Sequence, residues 1–128
     1  MTFTLGVSED DLQKQVAEYL AATLPSGCVF HHSPNEGRRH INFINKLKRM
    51  GTKYGWPDLE IFCPGSATKS GMNEAIFIEL KVKRGTMNEN QRRMRDAIID
   101  AGFAWALCRS LADVDAFLDP LIKLKVSR

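Results

Sequence analysis

Three cysteines, two tryptophans and two tyrosines are all that this 128-residue chain carries of those residues, and each scarcity excludes something. Cys28, Cys63 and Cys108 are odd in number, lie within or beside apolar runs and show no CxxC spacing. A disulfide scaffold and a cysteine-ligated zinc are therefore not indicated, and the three read as buried free thiols in a reducing cytosol. No apolar run approaches the ~20 residues that a bilayer span requires, and no signal-peptide pattern opens the chain. A soluble, cytoplasmic protein with no membrane partner is expected. Repeats, low-complexity tracts and linkers are also missing, so residues 1–128 read as one domain, large enough to bury a core without disulfides or a structural metal.

Net charge is scarce too, at +3, which by itself says nothing about nucleic acid. Its distribution says more. Residues 31–56 hold six Lys/Arg (Arg38, Arg39, Lys46, Lys48, Arg49, Lys53) against the one acid Glu36, and residues 81–95 repeat that ratio. The first 24 residues instead hold four acids and one lysine. Such basic segments suit phosphate binding, although two solvated faces would read the same way.

Between those segments, Gly55 to Lys83 contains two β-type runs, Asp58–Cys63 and Ala75–Val82, joined by Pro64-Gly65-Ser66 and a polar loop. That is the pattern of a hairpin with a long connection. Period-2 alternation puts Ile76, Ile78, Leu80 and Val82 on one face of the second run, and Phe77, Glu79 and Lys81 on the other. A carboxylate and an ammonium inside an apolar strand are unusual. If the two strands are neighbours, Asp58, Glu79 and Lys81 converge on one sheet surface. Metal-assisted phosphodiester hydrolysis uses such a trio: hard carboxylate oxygens for Mg²⁺ and a cation beside the attacking water. A structural ion pair at a sheet edge is the plainer alternative.

Pro57-Asp58, followed 21 residues later by Glu79-Leu80-Lys81, resembles the bipartite signature of the PD-(D/E)XK nuclease superfamily. With the flanking Met50–Leu59 and Asn88-Glu89-Asn90-Gln91 segments, the similarity narrows to the VRR-NUC (virus-type replication and repair nuclease) domain in its compact phage or prophage form. It runs from about Glu9 to about Phe117. The resemblance implies that Asp58, Glu79 and the Leu80 carbonyl hold Mg²⁺ or Mn²⁺, that Lys81 positions the water, and that Glu9 completes the shell. It also implies a glutamine near the metal, here Gln91, and an asparagine after the first strand, here Asn35. A bacterial or phage-infected host cell is the implied setting.

The remaining elements can be read in order. Ser8 caps a helix whose first turn holds Glu9, Asp10 and Asp11. Leu12, Val16, Tyr19, Leu20 and Leu24 follow helical spacing until Pro25-Ser26-Gly27. Capping acid and metal ligand are both open to Glu9. Cys28–His32 is a short strand on which His31 and His32 face opposite ways. Arg38–Met50 is a basic amphipathic helix with Ile41, Phe43, Ile44 and Leu47 as its apolar stripe. Trp56 can be core or can stack on a base, the former being favoured. Lys83 and Arg84 lie in a basic turn. Asn88 and Gln91 form a capping box for a helix with Met94, Ala97, Ile98 and Ala101 inward and Arg92, Arg93 and Arg95 outward. Phe103–Cys108 reads as a buried strand, Ser110 caps a last helix to Leu118, and Leu121–Val126 reads as an edge strand, a dimer contact or a tail. The order α-β-α-β-β-α-β-α predicts an α/β fold, a central mixed sheet flanked by helices, restriction-endonuclease-like in the sense the resemblance implies.

The expected function is a metal-dependent, structure-selective endodeoxyribonuclease cutting branched DNA (a Holliday junction or flap). The resemblance to Holliday-junction resolvases implies a homodimer, because two symmetric nicks need two sites. A catalytically silent nucleic-acid-binding module of the same fold is the alternative. Glu60 is either a second metal carboxylate or a solvent-facing residue.

Overall fold

The computed structural model describes residues 7–34 and 40–125. Asn35, Arg38, Arg39 and Val126 lie outside the described residues. The elements follow the expected order: α1 (Glu9–Thr23), β1 (Val29–His32), α2 (Ile41–Arg49), β2 (Leu59–Cys63), a 3₁₀ turn (Gly65–Ala67), β3 (Glu74–Leu80), α3 (Glu89–Asp100), β4 (Ala104–Cys108) and α4 (Leu111–Leu118). Four strands form one mixed sheet in the order β1-β2-β3-β4. The first two pairings are antiparallel, and β3–β4 is parallel, with α3 as the crossover. A parallel pair needs such a connection, whereas the β2–β3 hairpin does not. Among the described residues no helix is long and apolar enough to cross a membrane.

Alternation decides which side of the sheet is core. Leu59, Ile61 and Cys63 of β2 share a face with Ile76, Ile78 and Leu80 of β3, and all six are buried. Against that face pack Leu12, Val16, Leu20 and Leu24 from α1 and its C-cap, with Val114 and Leu118 of α4. Ser8 and Asp11 close a capping box on α1, and Glu9 and Asp10 of its first turn line a hollow with Asp58. The Tyr19 hydroxyl donates to Asp115, tying α1 to α4.

Several packing expectations need correction. The apolar stripe of α2 is not buried: Ile41 is 59% and Phe43 42% exposed, with Ile44 and Leu47 half-buried. The helix starts at Ile41 because the His40 side chain accepts the Asn42 N–H as N-cap. On α3 only Ile98 is buried, Ala97 and Ala101 are exposed, and Arg95 is half-buried rather than outward. Strand β4 is half-buried until Cys108, and Phe103 before it is 45% exposed. Cys28 is half-exposed, not buried. The segment after α4 is no edge strand. Ile122 bridges Thr68, and backbone bonds tie Lys123 to Ala67 and Lys125 to Thr23.

Candidate active site

The chemistry-bearing residues gather where β2 begins and β3 ends. Pro57 is buried and fixes the chain entering β2. Asp58 follows, its backbone carbonyl accepting the Ser33 N–H at 2.8 Å and facing His32 Nδ1 at 3.0 Å. Its side chain turns to β3, where Oδ2 accepts the Leu80 N–H at 2.7 Å. Register pairs Leu59 with Ile78, so Asp58 stands level with the Glu79–Leu80 peptide. Glu79 is 2% exposed, close enough to Asp58 that the charge of that carboxylate acts on it. The two carboxyl groups line the same cleft. Lys81 leaves β3 with its N–H donated to the Cys108 carbonyl.

Electrostatics at Glu79 follow from that placement. Burial, then the charge of Asp58 and the hydrogen bond with it, push its carboxyl up to about 9, with Lys81 opposing and Glu9 adding to the rise. Glu79 therefore keeps its proton well above the ordinary carboxylate range.

Gln91 does two things at once. Its Oε1 accepts the Asn88 N–H at 2.9 Å, closing the capping box of α3, while its Nε2 donates to Glu79 Oε1 at 2.9 Å. The two roles open to it in the sequence do not compete, because an amide has both a donor and an acceptor end. Glu9, Lys53, Trp56, Asp58, Glu79, Lys81 and Gln91 all line one open cleft of about 450 Å³.

A second hollow of about 400 Å³ lies between Glu9, Gln13, His32, Asp58 and Leu80. Glu9 borders both spaces. Among the described residues, however, no three His, Cys, Asp or Glu side chains form one metal-holding group, so Glu9 stands near the carboxylate pair without joining it. His31, on the opposite face from His32, pairs with Glu60 across the strands.

Other expected residues fall elsewhere. Glu60 does not line the cleft, and its Oε2 accepts the Trp56 indole N–H at 3.3 Å. Trp56 is 38% exposed at the cleft, edge-to-face with Phe77, and is not core. Arg92 donates to the Met87 carbonyl. Arg93 pairs with Glu89. Lys46, Lys48, Arg49, Lys83 and Arg84 are exposed, and the Lys83 carbonyl accepts from Arg109.

Tyr54 stands beside these residues. It lines the cleft, Lys48 Nζ stands 5.4 Å from its ring centroid, and its buried hydroxyl has no hydrogen-bond partner among the described residues. Gly55 has φ +83°, and a Cβ there would lie 2.3 Å from the backbone carbon of Asn90 and 2.4 Å from its oxygen. The loop carrying Lys53, Tyr54 and Trp56 is thereby seated on the first turn of α3. Gly55→Ala is expected to lose about 2–4 kcal/mol in urea unfolding, because it combines a left-handed φ with a backbone clash. A loss below ~0.5 kcal/mol would show that the loop is not seated this way.

No protein-family model matches the sequence, and no curated protein matches it. Solved structures do share its architecture. One described as a "VRR_NUC domain protein" superposes with a TM-score of 0.68 over 91% of this chain and 88% of its own, at 22% identity. Another, described as a "VRR_NUC domain", reaches a TM-score of 0.54 over 87% of this chain and 94% of its own, at 20% identity. The chain therefore has the fold of VRR-NUC domain proteins, a mixed four-stranded sheet with four helices.

Proposed function

We propose that this chain is a divalent-metal-dependent endonuclease that hydrolyses phosphodiester bonds in branched DNA, acting as a homodimer. The observation that carries the reading is that Asp58, Glu79 and Lys81 line one open cleft, with Asp58 accepting the Leu80 N–H. Two structural carboxylic acids with no other task would rarely be buried against each other, since each raises the cost of ionising its neighbour.

The donor set fits a hard cation. Asp58 and Glu79 would hold Mg²⁺ or Mn²⁺ through carboxylate oxygens, with the Leu80 carbonyl as a third ligand and water or phosphate oxygens filling the remainder. When bound, such an ion supplies Lewis acidity to the phosphoryl group and makes its water more acidic. The chain's own residues do the rest. Lys81 orients the attacking water and offsets charge gathering on the phosphorus oxygens. Gln91 keeps Glu79 in place through Nε2. Glu9, which borders the cleft, would add a carboxylate near a bound cation. Lys46, Lys48, Arg49 and Lys53, with Lys83, Arg84 and Arg92 on the other flank and Arg38 and Arg39 in sequence beside them, hold the sugar–phosphate backbone without reading bases.

Cleavage assays on linear duplex, flap and four-way junction DNA, with Mg²⁺, with Mn²⁺ or with EDTA, test this. Cutting of the branched substrates in either metal and none in EDTA is the expected result. Salt-sensitive binding without turnover in any metal would leave a silent DNA-binding module of the same fold.

A further inference from the structure

Cys28 and Cys63 stand apart from the cleft, and the proposed hydrolysis does not use them. The fold nevertheless brings them together from both sides. Strand register pairs Val29 with Phe62, which sets Cys28 opposite Cys63 one step along the same ladder. Behind them Gly27, at φ +90°, lies so close that a Cβ there would come within 3.0 Å of Pro64 Cγ. With the backbone fixed before and after the pair, the two Sγ atoms are 2.7 Å apart. That is well inside ordinary van der Waals contact and not far from the ~2.05 Å of a bonded pair.

The surroundings make the two sulfurs unequal. Cys28 is half-exposed and Cys63 is buried, although Cys63 also borders a shallow apolar groove with Val29, Phe62 and Phe103. Burial, followed by the hydrogen bond with Cys28, pushes the Cys63 thiol up to about 12. Attack from outside therefore starts at Cys28.

We propose that Cys28 and Cys63 form a reversible dithiol–disulfide pair, oxidised by low-molecular-weight disulfides of the glutathione class. The Cys28 thiolate attacks one sulfur of the oxidant, forming a mixed disulfide and expelling one thiolate, which takes up a proton. Cys63 then attacks the Cys28 sulfur, gives its proton to solvent and expels the second thiol. Two protein thiols lose two electrons and two protons, and one small disulfide becomes two thiols. The bridge closes the chain from 28 to 63, α2 included, and fastens edge strand β1 to β2. It sits at the opposite end of β2 from Asp58, about 16 Å away at ~3.3 Å per residue, so it hardens the fold while leaving the carboxylate pair unchanged. The inference does not depend on the nuclease reading.

The full chain, equilibrated in mixtures of oxidised and reduced glutathione, alkylated and mapped by mass spectrometry, provides the test. An internal Cys28–Cys63 link is expected, with Cys108 alkylated only after denaturation. The melting temperature should rise by on the order of 10 °C and fall back with dithiothreitol. Cys63→Ala should stop at a glutathione adduct on Cys28, and Cys28→Ser should take up none. Should Cys63→Ala fail to fold, the map of the unaltered chain still decides. Thiols that remain free in excess oxidant, a lasting Cys28 adduct in the unaltered chain, or a bridge between two chains would each overturn the proposal.

Discussion

Glu79→Gln is expected to abolish cleavage and yet to make the metal-free protein more stable above neutral pH. The loss follows from the ligand set: an amide cannot replace a carboxylate toward a hard dication, and one of two side-chain ligands is gone. On the order of a thousandfold or more in cleavage rate is at stake. The gain follows from the proton. The Glu79 carboxyl rises from 4.5 to about 9 in the folded chain, so between those values the folded state binds more protons than the unfolded state. Stability contributed by this group is complete below about pH 4.5 and declines as pH rises toward 9.

Glutamine imitates the protonated acid and does not titrate. It keeps an oxygen for the Gln91 Nε2 donor and an N–H to offer Asp58. The gap between variant and parent should therefore widen with pH, by at most ~1.4 kcal/mol per unit. Melting curves in EDTA at about pH 5 and pH 8.5 measure it. Mg²⁺ should then raise the melting temperature of the parent at pH 8.5 and not that of Glu79→Gln. A variant that still cuts, or that is less stable than its parent at the higher pH, removes Glu79 from the proposed role.

How far this arrangement was readable beforehand depends on the range of the interactions involved. The capping boxes at Ser8 and Asn88 are written in adjacent residues, and both are present. The alternation of Ile76, Ile78 and Leu80 against Glu79 is likewise local, and it placed the carboxylate on the face away from the core. Asp58 meets Glu79 only because the hairpin register happens to pair Leu59 with Ile78, something spacing permitted but did not require. Periodicity misled at α2. Ile41, Phe43, Ile44 and Leu47 make an apolar stripe, but a stripe says only that a face is apolar and not that something in the same chain covers it. Trp56 was misjudged too: its indole N–H is held by Glu60, four residues on in β2, which keeps the ring at the cleft rather than in the core. The Cys28–Cys63 contact and the unpartnered Tyr54 hydroxyl depend on pairings 35 residues apart or on a loop seated by Gly55. Neither leaves a mark in local pattern.

Asp58 offers the opposite stability outcome, and the contrast distinguishes a chemical loss from a folding one. Its Oδ2 is the acceptor for the N–H of Leu80, a residue 1% exposed. Asp58→Ala removes that acceptor from a backbone donor that water does not easily reach, at a cost of about 1–3 kcal/mol. Some of that is returned above neutral pH, because the charge and the hydrogen bond that help raise the Glu79 carboxyl are removed too. Asp58→Asn keeps an oxygen for Leu80 and gains an amide N–H to offer an ionised Glu79, so it should unfold in urea close to the parent. Both variants leave a single carboxylate for the cation, and both should lose cleavage by on the order of a thousandfold or more. Alanine then fails in chemistry and in stability, asparagine in chemistry alone. Parent-level cutting by Asp58→Asn would mean that the pair at the head of β2 and the tail of β3 is a structural hydrogen bond with no cation to hold.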